Sequence, residues 1–259
     1  MNRPLIFDIA LGRTKPVNMR NEQVRCPFCD RSQLTDILDT SGHIIWLMNK
    51  YPVLHDTWPT VIIETETDDG EFSTLPLDEA TRIMQFGLDK WRETIHTNEF
   101  ASVLFFKNHG PMSGGSIRHP HSQIIGLKNY DYCEDIPPVE SMNGWLLHED
   151  QDMRITLSTQ PIIGFFEYNI RFKPDAPARS VALRLQQVLR YLLHTIANFT
   201  QSYNYFFYDL KDGYNYIKVV ARYVTTPLYI GYKIPQTCDD DRAAKIIQDI
   251  APYLQGNKK

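Results

Sequence analysis

The run His119-Pro120-His121-Ser122-Gln123 holds the most reactive spacing in this chain. On an extended strand, side chains two apart share a face, so His119, His121 and Gln123 are expected to converge while Pro120, Ser122 and Ile124 point away. An imidazole with a near-neutral pKa is largely unprotonated at pH 7 and can attack phosphorus. The phosphoramidate so formed is reactive enough to pass its group on, which predicts ping-pong kinetics. The preceding loop, 108–118, carries Gly110, Gly114 and Gly115 together with Ser113 and Ser116. That composition lets backbone N–H groups and hydroxyls approach phosphate oxygens and meet developing charge. By spacing alone, a His-x-His pair equally suits two metal ligands or two structural histidines, and a Gly-rich loop between strands equally suits a plain turn.

A second cluster is Cys26-Pro27-Phe28-Cys29. A tight turn between two cysteines points two thiolates at one tetrahedral zinc ion, although two buried free thiols would show the same spacing. Cys133 and Cys238 stand alone, and four cysteines in a chain of this size argue against a disulfide framework. His109 could act as an acid or be simply solvated. Arg13, Lys15 and Arg20 could neutralise phosphate or be ordinary surface charge, and Trp46, Trp58, Trp91 and Trp145 suit the core at least as well as base stacking.

These residues need elements to position them. The first 25 residues show no period and read as an extended arm. Short β-rich runs at 43–49 and 60–65 are expected strands. Leu77, Ala80, Ile83, Met84, Leu88, Trp91 and Ile95 follow helical spacing, so an amphipathic helix lies over a sheet. A strand at 101–107 and the histidine strand ending near Leu127 complete the unit. After a polar stretch at 128–143 the order restarts. Strands are expected at 155–158 and 162–172, a helix at about 178–199, and strands at 203–210, 215–223 and 228–234. A terminal helix at 239–254 is headed by Asp239, Asp240 and Asp241, which suit its N-terminal dipole. The fold class is therefore α+β, with a repeated unit of antiparallel strands and one long helix, divided at about 1–135 and 136–259.

The stretches Phe106-Lys107-Asn108-His109-Gly110 and Gly114-Gly115-Ser116-Ile117-Arg118-His119-Pro120-His121-Ser122-Gln123 resemble the active-site segment of galactose-1-phosphate uridylyltransferases and ADP-sugar phosphorylases, within the histidine triad (HIT) superfamily. The resemblance implies duplicated HIT-like units with a degenerate second unit, in which Asn215-Tyr216-Ile217-Lys218 replaces a histidine strand. It makes His121 the nucleotidylated nucleophile, with Gln123 and Ser116 holding phosphate oxygens. Asn49, Lys50, Asn108, Gly114 and Gly115 then bind the substrate. It also implies a structural zinc held by Cys26, Cys29 and His119. The family's fourth ligand, a histidine, is missing from 64–72, which leaves Asp68, Asp69, Glu71 or the more distant His55 as candidates. A homodimer is implied too. Ser122 is similar to the adenylyl branch, and Lys233 stands where relatives have a carboxylate that reads the sugar.

The bulk numbers fit this reading. A chain of 259 residues, 42% hydrophobic and 22% charged, buries a core unaided. A net charge of -4 and pI near 6.1 favour a nucleotide-sized partner over nucleic acid. No secretory signal or membrane span is read, so a cytoplasmic enzyme is expected. The leading expectation is a nucleotidyltransferase moving a nucleoside monophosphate from a nucleotide or nucleotide sugar to a phosphorylated acceptor or phosphate. A hydrolase of the same fold and a non-catalytic nucleotide-binding protein are the alternatives.

Overall fold

The computed structural model describes residues 1–259 except 1, 3, 20, 22, 136–138 and 259, and only the backbone of 139 and 140. The arm residue Arg20 thus lies outside the described residues. Ten strands form one antiparallel sheet: β1 (Ile37–Ser41), β2 (Ile44–Met48), β3 (Thr57–Ile63), β4 (Ser102–His109), β5 (His121–Leu127), β6 (Gly144–Glu149), β7 (Met153–Ser158), β8 (Glu167–Phe172), β9 (Tyr203–Asp209) and β10 (Asn215–Ala221). Their spatial order is β1-β2-β3-β5-β4-β9-β10-β8-β7-β6. Read inward from either edge, both halves give the same order, and they meet where β4 pairs with β9.

The helices are α1 (Ile9–Gly12), α2 (Leu77–His96), α3 (Ala178–Thr195), α4 (Pro227–Tyr232) and α5 (Asp240–Leu254). The apolar stripe of α2 is buried at Ala80, Ile83, Met84, Leu88 and Trp91, and that of α3 at Val181, Leu185, Val188, Leu189 and Leu192. Both stripes join one core that crosses the seam between the halves, where Phe105 of β4 stacks on Phe207 of β9 at 4.3 Å under Trp91. Asp239 caps α5 by accepting from the Arg242 amide at 2.8 Å, with Asp240 and Asp241 in its first turn, as the sequence predicts.

Several elements differ from expectation. The stretch expected as a strand at 228–234 is instead the helix α4, because Thr226 caps it, Pro227 suits its first turn and no sheet edge is open there. Strands β1 and β6 were not expected. Both are edge strands: β1 is wholly exposed, and β6 has no fully buried residue, although its Trp145 and Leu147 pack against the core. The segment at 162–166 is irregular, and its strand starts only at Glu167. No helix among the described residues is long and apolar enough to cross a membrane.

Candidate active site

Helices cover one face of the sheet. On the opposite face of the first half, a cavity of about 580 Å³ opens over β2, β3, β5 and β4. Its floor is apolar: Leu47, Pro59, Val61 and Ile125 come from alternating positions of three adjacent strands. Eight expected residues line it together, namely Asn49, Lys50, Asn108, Gly114, Gly115, Ser116, His121 and Gln123. Cys26 and the arm residues Lys15 and Arg25 line it as well.

The two histidines do not share a strand. Strand β5 begins at His121, and His119 precedes it. His121 and Gln123 face the cavity, whereas the His119 ring turns to the cysteine knuckle. Phe28, from the knuckle itself, sits edge-on to both rings, at 5.5 Å from His121 and 5.9 Å from His119.

His121 is 7% exposed, and its Nδ1 lies 2.8 Å from the carbonyl oxygen of His119. A carbonyl only accepts, so Nδ1 carries the proton and Nε2 of the neutral ring holds the free lone pair. Burial, aided by the nearby Lys107 ammonium, pulls the His121 pKa down to about 4, and the ring is neutral throughout the physiological range. Lys107 lies on the helix-covered face of β4. It forms an ion pair with Glu64, with both side chains 1% exposed, and reaches the His121 carbonyl at 3.4 Å.

The loop over the cavity is held from several sides. Ser113 Oγ donates to the Gly110 carbonyl at 2.6 Å, the Met19 amide donates to Ser116 O at 3.0 Å, and the Arg118 amide donates to Asn18 Oδ1 at 2.8 Å. Gly110 has φ +81°, and a Cβ there would collide with Ser202 and the Gln201 carbonyl, so only glycine fits the turn. His109, weighed above as a solvated or acidic loop residue, instead ends β4 and stacks on Tyr203 at 4.9 Å. Burial lowers its pKa.

Cys26, Cys29 and His119 bring one ligand atom each within 4.8 Å of one another. His119 Nε2 sits 2.9 Å from Thr65 O and donates to it, which turns Nδ1 toward both sulfurs, 3.5 Å from each. Burial pushes the Cys26 thiol up, but hydrogen bonds with His119 and Cys29 outweigh it and bring the pKa to about 7. A thiol with a lowered pKa and an imidazole nitrogen held in orientation beside it fit a soft divalent ion. The proposed fourth ligands are engaged elsewhere: Asp68 pairs with Arg118 at 3.4 Å, Asp69 accepts from Thr67, and Glu71 accepts from Ser73 and Tyr203. His55 is not among the grouped residues either.

Sequence reasoning did not find Phe28 as a bridge between the two rings, nor the Lys107–Glu64 pair. The runs at 43–49 and 60–65 were legible as apolar strands, but not the face of them that floors the cavity. The pairing of Lys107 with a residue 43 positions earlier had no local signal.

Together these features define an α+β chain in which a buried histidine faces a cavity on the uncovered side of the sheet. A crystal structure of a DUF4931 family protein from Bacillus cereus superposes with a TM-score of 0.75 at 38% identity, covering 85% of this chain and 99% of that one. The models of the N-terminal and C-terminal DUF4931 domains, both described as of unknown function, match residues 7–130 and 135–253. The chain belongs to the DUF4931 family. It is also 26% identical over 125 residues to a galactose-1-phosphate uridylyltransferase of Streptomyces lividans, a match spanning 47% of this chain but only 35% of that protein. An ADP-glucose phosphorylase from Arabidopsis thaliana, solved with ADP-glucose bound, shares the fold with a TM-score of 0.70 at 16% identity, covering 92% of each chain.

Proposed function

We propose that this chain is a nucleotidyltransferase working through a covalent nucleotidyl-His121. The observation that carries the reading is the His121 ring, neutral, with its proton fixed on Nδ1, lining a cavity beside the glycine-rich loop. In the first half-reaction His121 Nε2 attacks the phosphorus next to the nucleoside. The Nε2–P bond forms, the P–O bond to the leaving phosphate breaks, and its electron pair departs with that oxygen. An acceptor phosphate oxygen then attacks the same phosphorus and releases the ring. Gln123, Ser116 and Asn108 donate to the phosphate oxygens, and the backbone of Gly114 and Gly115 allows their close approach. Asn49 and Lys50, at the far rim, contact the nucleoside end.

Cys26, Cys29 and His119 would hold a structural zinc ion that ties the arm to the start of β5. The matching strand order of the two halves supports a duplicated HIT-like unit, catalytic over about 1–135 and degenerate over 136–259. A cytoplasmic setting, which keeps the thiols reduced, and a homodimer belong to the same reading.

Isotope exchange tests this. Labelled glucose 1-phosphate is mixed with UDP-glucose or with ADP-glucose, without a second acceptor. Label entering a nucleotide sugar supports the transferase. Release of free nucleoside monophosphate from either donor, without exchange, supports the hydrolase instead.

A further inference from the structure

Asn108 has two ends, and only one of them can serve a phosphate. Its amide Nδ2 would donate to an anionic oxygen, and its Oδ1 would repel one. The orientation follows from the second half of the chain. Asn204 of β9 lies opposite Asn108 across the seam, 1% exposed. Its Nδ2 sits 3.1 Å from the Ser113 carbonyl and 3.4 Å from the Lys107 carbonyl, and both of these groups only accept. Its Oδ1 receives the Arg222 guanidinium, which only donates. Both ends of Asn204 are thereby assigned by chemistry alone. The Asn108 atom 2.6 Å from Asn204 Nδ2 must then be Oδ1, and Asn108 Nδ2 is left free of protein partners among the described residues.

Arg222 is the source of this polarity. It follows β10, is partly buried, and forms no ion pair with a carboxylate among the described residues. Its amide also donates to the Ser202 carbonyl at 2.8 Å, while Ser202 Oγ accepts from the loop amide of Met112 at 3.0 Å. A guanidinium donating into an amide, which donates into a second amide, polarises each bond toward the last donor.

We infer that Arg222 and Asn204 are positioning residues for nucleotide phosphate. A relay from the silent half fixes Asn108 with its N–H end toward the anion and carries part of the Arg222 charge to it. The ligand class is the phosphate oxygen of a nucleotide, so the inference rests on the nucleotide-binding reading above.

The test compares binding of AMP and UMP with that of adenosine and uridine by calorimetry, because only the nucleotides carry the phosphate. Arg222→Met leaves Asn204 held by its two carbonyls. It is expected to lower the nucleotide-to-nucleoside affinity ratio about fivefold, with nucleoside binding unchanged. Arg222→Lys should restore most of that ratio. Asn204→Asp, which still pairs with Arg222 but cannot donate to Asn108, should lower it further, to roughly a tenth or below. A ratio unchanged in Arg222→Met, or nucleoside and nucleotide affinities falling together, would overturn the relay and leave the nucleotide reading standing. A parent protein that binds neither nucleotide would overturn both.

Discussion

On the open face of the first half, β5 presents His121 and Gln123 to a cavity, and Lys107 lies beneath them on the covered face with Glu64. At the corresponding place in the second half, one strand from the seam, β10 turns Lys218 to the open face, where Glu167 at 3.6 Å and Ser158 at 3.5 Å close it off. Both halves bury a Lys–Glu pair, yet the surroundings differ. Glu167 also receives the amides of Ile162, Ile163 and Gly164, at 2.7, 2.8 and 3.3 Å, whereas Glu64 Oε1 has no hydrogen-bond partner among the described residues. In the second half the ion pair fills the position and pins a loop. In the first half it is pushed under the strand, so the open face remains free for a ligand. The same strand order thus supports one open face and one sealed face.

The largest effect expected from breaking this contrast is chemical. His121→Asn should cost about 10³-fold or more in turnover of any accepted donor, since no other imidazole among the described residues lines the cavity. No change in Lys218→Met turnover is expected. Steady-state rates of both variants check the asymmetry.

The ion pairs offer a sharper comparison. Removing one partner of a buried pair costs about 3–5 kcal/mol because it strands the other charge. Lys107→Met leaves Glu64 without its donor and should lower Tm by about 10 °C. Lys218→Met leaves Glu167 with three backbone donors and should cost no more than about half as much. Equal losses by calorimetry would remove the distinction.

A third expectation concerns the knuckle. The purified protein should contain close to one zinc per chain by elemental analysis. Cys26→Ser should abolish that content and lower Tm by several degrees, on the order of 2–4 °C per kcal/mol lost. Full stability in a metal-free preparation would contradict a structural ion.

The smallest effect is acid sensitivity. The His121 pKa is pulled down from about 6.5 to about 4, so between these values the unfolded chain binds a proton that the folded chain excludes. Stability therefore falls as pH drops through that window and is unaffected above it. A His121→Asn variant should lose Tm less steeply between pH 6.5 and 4. Equal slopes would contradict the burial of a neutral ring.

How much of this was legible in the sequence depended on range. The periodic faces of α2 and α3, the Asp cap of α5 and the alternation around His121 are local patterns, and they placed the core helices and the shared face of His121 and Gln123, whereas the other six cavity residues came from the family resemblance. Edge strands such as β1 lack an apolar face and were silent. His119 was expected beside His121, but β5 starts after Pro120, whose ring supplies no N–H for pairing, and the His119 ring serves the knuckle instead. The positions of Lys107, Asn204 and Arg222 depend on pairings made across the seam or between distant strands, and no neighbouring residue announces them.

The central claim is a covalent bond between His121 and a nucleotide. Intact-protein mass spectrometry after mixing the chain separately with UDP-glucose, ADP-glucose and diadenosine tetraphosphate, without acceptor, tests it most directly. The account predicts an acid-labile gain of one nucleoside monophosphate, mapped to His121 and absent in His121→Asn. Turnover of a donor with no such adduct, or an adduct that persists in His121→Asn, would contradict it.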